Sequence, residues 1–184
     1  APVQDYNLSV SGGGESSNYM ISGGYFNQEG ILNGTGFERF SFRANSDFKI
    51  GRLKIGETLT VSHIDQQLEP VPGGRSLIEH IIKSVPYIPV YDDTRLGGYR
   101  SPDRVDGSDP QNPVLHTGLR NDHNLDMKIL GSVFGEFDFG AGFSYRLQVG
   151  IDYNQGNDSR FMPQYDAGDF DINETADISE SNAR

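Results

Sequence analysis

Apolar and polar residues alternate with period two along six stretches of the chain. The longest clean run covers residues 143–154. Phe143, Tyr145, Leu147, Val149, Ile151 and Tyr153 fall on one side of an extended backbone there, and Ser144, Arg146, Gln148, Gly150, Asp152 and Asn154 fall on the other. Successive side chains of a strand point to opposite faces, so the run predicts a strand with one oily and one wet face. The same reading predicts strands near 5–11, 18–28, 38–50, 53–63 and 124–139. Glu57 breaks the pattern of its strand by falling among Leu53, Ile55, Leu59 and Val61. A bulge at Gly56 is one way to turn it to the wet side.

The predicted connections alternate in length. Gly12–Ser17, Gly51-Arg52 and Gly140–Gly142 are short; residues 27–38, 65–123 and 155–184 are long. Antiparallel strands joined in this order place every tight turn at one end and every long loop at the other. Outer-membrane β-barrels are built so, and a tilted strand crosses a bilayer in roughly 9–11 residues. The expected fold is therefore all-β: an antiparallel transmembrane β-barrel segment of about six strands. One long extracellular loop, 65–123, carries a short helix, and an acidic loop or tail follows at 155–184. Aromatic residues support this placement. Tyr19, Phe48, Phe139, Phe143 and Tyr145 lie towards the short turns, and Tyr6, Tyr25, Phe40 and Tyr153 towards the long loops, as two interfacial girdles require.

Composition fits a chain whose oily faces meet hydrocarbon rather than one another. Only 35% of the 184 residues are hydrophobic, and there is no Trp or Cys. The net charge of −11 excludes a nucleic-acid partner, because phosphate binding needs a basic footprint. No apolar run is long enough for a membrane-spanning helix. The chain opens almost directly in a strand, as expected of a segment whose upstream part is missing.

Within the long loop, Ser76 and Glu79 stand in a capping-box relation ahead of Leu77, Ile78, Ile81 and Ile82. Pro86 and Pro89 stop the helix and predict an extended "VPYIPVY". The apolar helix face either packs over the barrel mouth or a partner protein, or folds back on its own loop. Asp103, Asp106 and Asp109 lack calcium-loop spacing and read as a solvated turn-rich tip, as do the acids of the tail. Asn7, Asn33, Asn157 and Asn173 sit in N-x-S/T sequons, which chance explains in a chain so rich in these residues.

No catalytic constellation emerges. His63, His80, His116 and His123 are scattered without metal-ligand spacing, and no G-x-S-x-G or cysteine nucleophile is present. The expectation is a non-enzymatic chain without cofactor, metal site or assignable substrate-binding residue. Arg39, Arg43, Asn45, Lys54, Thr58, Thr60, Lys128, Glu136, Arg146, Gln148 and Asp152 are expected to line the wet interior.

"NYMISGGYFNQEGIL", "FERFSFRANSDFKIGRLKIGETLTVS", "SVPYIPVYDD" and "ILGSVFGEFDFGAGFSYRLQVGIDYN" together resemble the barrel of the SusC/RagA family of TonB-dependent outer-membrane transporters from Bacteroidetes. The resemblance implies a 22-stranded barrel with a plug, TonB as energy source, a SusD-like surface lipoprotein over the mouth, and import of glycans or peptides. No plug and no TonB-contacting segment is recognisable in residues 1–184, so the chain is expected to be an internal barrel piece in the outer membrane. The competing expectation is a soluble all-β carbohydrate-binding module, whose apolar faces would meet in a dry core.

Overall fold

A computed structural model describes residues 1–183. Seven strands form one antiparallel sheet: β1 (Val3–Gly13), β2 (Ser17–Glu29), β3 (Gly36–Ile50), β4 (Leu53–Gln67), β5 (Asn121–Gly140), β6 (Phe143–Met162) and β9 (Asp177–Ala183). The first six pair in chain order and β9 adds beside β6. A small hairpin, β7 (Tyr165–Gly168) with β8 (Asp171–Asn173), stands apart from the sheet. The up-and-down order puts all tight turns at one end, as the alternation of loop lengths requires.

The register keeps the oily positions together across strands. Tyr25 pairs with Tyr6 and Phe40, Phe42 with Val61, Val61 with Ile129, Val133 with Val149, and Gly135 with Leu147. All of these share one face. Phe42, Leu147 and Val149 remain 44%, 58% and 61% exposed, and no second sheet faces them among the described residues. The dry core that a soluble sandwich needs is missing on this face. The opposite face carries Arg43 between Ser22 and Thr60, and Lys128 between Ser62 and Asn154.

Both ends of the oily band carry aromatics. At the long-loop end Tyr25 stacks on Tyr6 (ring centroids 6.3 Å) and meets Phe40 at a tilt (4.8 Å). Its hydroxyl donates to Glu38 Oε2 at 2.9 Å. A Tyr ring with its apolar body in the band and its phenol among polar groups suits a membrane–water boundary. At the short-turn end Phe137 and Phe139 meet edge to face at 4.9 Å.

Several boundaries differ from the sequence reading. The sheet has seven strands rather than about six. β5 and β6 are each 20 residues long, so β6 runs on to Met162 through residues read as the start of an acidic tail. That region also contains β7, β8 and β9; its last residue, Arg184, lies outside the described residues. Past the oily band both faces are polar, so the period-two signal fades although pairing continues. No bulge turns Glu57 inwards: β3, β4 and β5 pair in unbroken register there, and Glu57 shares the face of Val133. Ser46 Oγ donates to its carboxylate at 3.1 Å. Residues 85–91 form turns rather than an extended segment, and Tyr91 makes only an isolated bridge with Tyr99.

Candidate functional site

Two regions carry the polar chemistry: the wet face of the sheet and a folded module at its long-loop end. The wet face is built by alternation alone. Lys54 pairs with Glu136, Glu136 with Arg146, and Thr58 with Ser132. Thr58 and Ser132 share a 2.9 Å hydrogen bond, and Arg146 lies 3.7 Å from Glu136. Every residue expected to line the interior lies on this face: Arg39, Arg43, Asn45, Lys54, Thr58, Thr60, Lys128, Glu136, Arg146, Gln148 and Asp152. They form a continuous polar wall rather than a convergent site.

The module combines the β4–β5 and β6–β9 connections. Helices α1 (Leu77–Lys83) and α2 (Pro113–Leu119) lie in the first and the β7–β8 hairpin in the second. Ser76 caps α1 by accepting from the Glu79 amide at 3.2 Å, but the Glu79 side chain turns to Lys83 at 2.7 Å instead of completing a capping box. Asn112 caps α2 by accepting from the amides of Val114 and Leu115, and Pro113 follows at the first helical position, where its missing N–H costs nothing. Leu115, Met162, Tyr165 and Ala167 make a small core, with Tyr99 and Leu119 packed against it.

Asp171 holds the module together from inside that core. Its Oδ1 accepts from His116 Nε2 and from the Tyr165 hydroxyl, both at 3.0 Å. Its Oδ2 accepts from Ser101 Oγ at 2.5 Å and from the Asn112 amide at 3.0 Å. Burial pushes this carboxyl up, but the His116, Ser101 and Asn112 donors outweigh it and hold it below the usual Asp range. The same burial, with the carboxylate beside it, pushes the Tyr165 phenol up. Ser101 and His116 both turn to Asp171 rather than to each other, and Ser101 is only 1% exposed. The cluster therefore lacks the hydroxyl–imidazole contact and the open approach of a nucleophilic site. His80 is equally enclosed: its Nδ1 accepts from the Gln111 amide and its Nε2 donates to the Pro72 carbonyl. Those partners fix one neutral tautomer.

The acids read as a solvated tip are in fact paired. Arg95 and Arg100 both grip Asp103, Arg100 also reaches Asp106 at 3.0 Å, and Arg75 meets Asp109 at 3.0 Å. Burial raises the Asp103 carboxyl, and Arg100 and Arg95 more than reverse that, leaving it low. The Asp169 amide donates to Asp103 Oδ1 and the Arg104 amide to Asp169 Oδ2, so this knot also ties the two connections together. Leu77 on α1 is buried, whereas Ile82 is 78% exposed and Ile78 and Ile81 are open as well. The helix thus folds one side onto its own loop and leaves the other uncovered. Between it, α2 and the β2–β3 loop lies a groove of about 410 Å³ lined by Ile31, Leu32, Ile81 and Val114. Gly34, at φ 76°, brings that loop against the Thr117 carbonyl.

A sheet oily on one side, wet on the other, and, among the described residues, free of edge pairing at β1 and β9 fits a segment of barrel wall. Two curated proteins match in sequence. The chain is 31% identical over 162 residues to TonB-dependent receptor P26 and 24% identical over 168 residues to TonB-dependent receptor P3, both from Formosa agariphila. Each match covers 88% of this chain but only 16% of the relative. No protein-family model matches the chain. The chain is thus similar to a short part of two TonB-dependent receptors, and its antiparallel sheet is consistent with a barrel segment of such a receptor. Both relatives bear the names of receptors rather than enzymes, in agreement with the non-enzymatic reading of the sequence.

Proposed function

We propose that the chain is a barrel-wall and extracellular-loop segment of a SusC-like, TonB-dependent outer-membrane transporter that imports glycans or peptides. The carrying observation is the continuous oily face across six neighbouring strands, left uncovered by the chain itself. Hydrocarbon is the partner that such a face fits. An open sheet edge is not tolerated in lipid, so β1 and β9 require further strands of the same transporter, and the receptor names of the relatives support that reading. The wet face then lines the interior against a plug supplied by the rest of the protein, and TonB acts through that plug. Residues 68–120 and 163–176 lie on the cell surface.

The open side of α1, with Ile78 and Ile82 beside the apolar groove, suits a SusD-like lipoprotein seated over the mouth. The test is to express the whole receptor that carries this segment with an affinity tag. It is expected in the outer-membrane fraction, extractable only by detergent, with cargo uptake lost when TonB is deleted. A lipoprotein partner should co-purify from wild type and be lost from an Ile78→Asp, Ile82→Asp variant. Release of the receptor into plain buffer contradicts the reading.

A further inference from the structure

Glu57 is, among the described residues, the one charged side chain on the oily face of β1–β6 between the Tyr6, Tyr25 and Phe40 level and the short turns. Its one polar partner there is the Ser46 hydroxyl, 3.1 Å from Oε1, so its charge is left without a counter-ion. The ground beside it is low. Two residues nearer the short turn, Gly135 separates Ile55 from Leu147, and a Cβ built on Gly135 would meet no atom within 4 Å. Phe48, opposite Ile55, adds to the walls of this notch. The depth of Glu57 follows from two tyrosines. Tyr19 pairs with Ser46 and so shares the row of Glu57; on β6 that row reaches Val149, and Tyr145 lies four residues nearer the short turn. Barrel strands tilt, so a membrane boundary slants across such rows. A line from Tyr19 to Tyr145 crosses β4 about two residues below Glu57, roughly 5 Å along the membrane normal. That is within reach of a Glu side chain.

Charge and surroundings select the occupant. A carboxylate beside hydrocarbon is costly unless it is paired. The partner has to carry positive charge, donate N–H bonds and arrive from the membrane side. A metal ion does not fit, because no group of three His, Cys, Asp or Glu side chains suited to one occurs among the described residues. A small soluble amine would leave Ile55, Leu147 and Val149 uncovered. An anionic headgroup would be repelled. A lipid with a primary ammonium headgroup meets both demands: it gives the carboxylate charge-assisted hydrogen bonds and lays its acyl chains along the oily face. We infer that Glu57, steadied by Ser46 and beside the open floor at Gly135, binds the headgroup of a phosphatidylethanolamine-type lipid in the leaflet at the short-turn end. The inference rests on the proposed membrane location and adds a lipid-recognition site to it.

The experiment uses the whole receptor in detergent micelles doped with phosphatidylethanolamine, phosphatidylcholine or phosphatidylglycerol of matched acyl chains, and native mass spectrometry reads the lipid retained. Wild type should hold phosphatidylethanolamine above the other two; phosphatidylcholine keeps the charge but lacks N–H donors. Glu57→Gln should cut phosphatidylethanolamine retention about tenfold, the loss of a charge-assisted hydrogen bond, and erase the preference. Gly135→Leu, which fills the notch and keeps the carboxylate, should weaken it severalfold. Asp5→Asn, a carboxylate on the wet face, should change nothing, and resistance to trypsin verifies that each variant is folded. A lipid-soluble carbodiimide applied to receptor in phosphatidylethanolamine vesicles should couple the lipid amine to Glu57, as peptide mapping reads. Equal retention of the three lipids by wild type overturns the inference, as does equal retention in wild type and Glu57→Gln. Coupling of Glu57 to a lysine of a co-purified protein instead of lipid overturns it too. If the receptor leaves the membrane only with detergent yet shows no headgroup preference, the lipid site falls and the barrel reading stands. If the receptor is released into plain buffer, both fall.

Discussion

The ring of Phe134 lies directly over the backbone of Gly56 on the wet face, where a Cβ at residue 56 would overlap it. The Arg146 guanidinium also lies over the ring, 3.8 Å from its centroid. An aromatic on a polar wall thus finds a bare glycine backbone and a cation as neighbours. Gly56→Ala forces the ring or the β4 backbone to shift. The expected cost is about 1–3 kcal/mol, the range for overpacking, and urea unfolding of the whole receptor in detergent micelles measures it. Gly135→Ala, with open space at its Cβ position, should cost less; equal losses in the two variants would show that the ring contact is unimportant.

The two faces of β6 make opposite predictions for neighbouring residues. Val149 is on the oily side and Gln148 on the wet side, where its amide reaches Ser132 Oγ at 3.3 Å. Val149→Arg should destabilise the folded barrel by about 2–4 kcal/mol, the cost of Arg near the bilayer midplane. Gln148→Arg should stay within about 0.5 kcal/mol, as for ordinary exposed positions. Guanidinium titrations in phospholipid vesicles provide both numbers. Indifference to Arg at both positions would mean that neither side faces hydrocarbon.

Strand content was legible in the sequence because one physical constraint, oil against water, acts on every second residue of Tyr6–Val10, Phe40–Phe48 and Phe143–Tyr153. Where the constraint ends, so does the signal. "QGNDSRFM" at 155–162 and "DISESNA" at 177–183 pair as strands, but both of their faces are polar or mixed. The loop module was hidden for a different reason. Asp171 meets Ser101, Asn112, His116 and Tyr165, drawn from segments far apart in sequence, and an Asp in "GDFDIN" carries no local mark of burial. The helix cap at Ser76 is a local motif and could be read; the reach of Glu79 to Lys83 depends on side-chain geometry and could not.

Asp171 gives the loop module a specific acid sensitivity. Its folded-state carboxyl titrates below the usual Asp range, so in that window the folded form binds fewer protons than the unfolded one. Its contribution is therefore complete above the unfolded Asp value of about 3.9 and is lost as pH falls through the lower folded value. Hydrogen exchange should show residues 112–116 and 165–171 losing protection below about pH 4, ahead of β3 and β4. Asp171→Asn should open the same residues at neutral pH, because an amide N–H₂ replaces one acceptor oxygen facing two donors. The expected local loss is about 3–5 kcal/mol, the cost of breaking a buried charged network. A module that exchanges no faster in this variant would show that the four donors are not what holds it.

Residues 1–184 hold no cysteine, so in a whole receptor cleared of cysteines outside them every face can be mapped with single introduced thiols in whole cells. Thr60→Cys and Lys128→Cys lie on the wet face, and Leu59→Cys and Ile129→Cys lie beside them on the oily one. A membrane-impermeant maleimide should modify the first pair in proportion to access through the barrel interior and spare the second. A lipid-dissolved maleimide should reverse that order. Ile82→Cys, at 78% exposure on α1, should react with the impermeant reagent on intact cells if the long-loop end faces outwards. Gly51→Cys, in the β3–β4 turn at the other end, should react only after the outer membrane is permeabilised. Labelling of Gly51→Cys but not Ile82→Cys on intact cells would invert the orientation and remove the long loops from the cell surface.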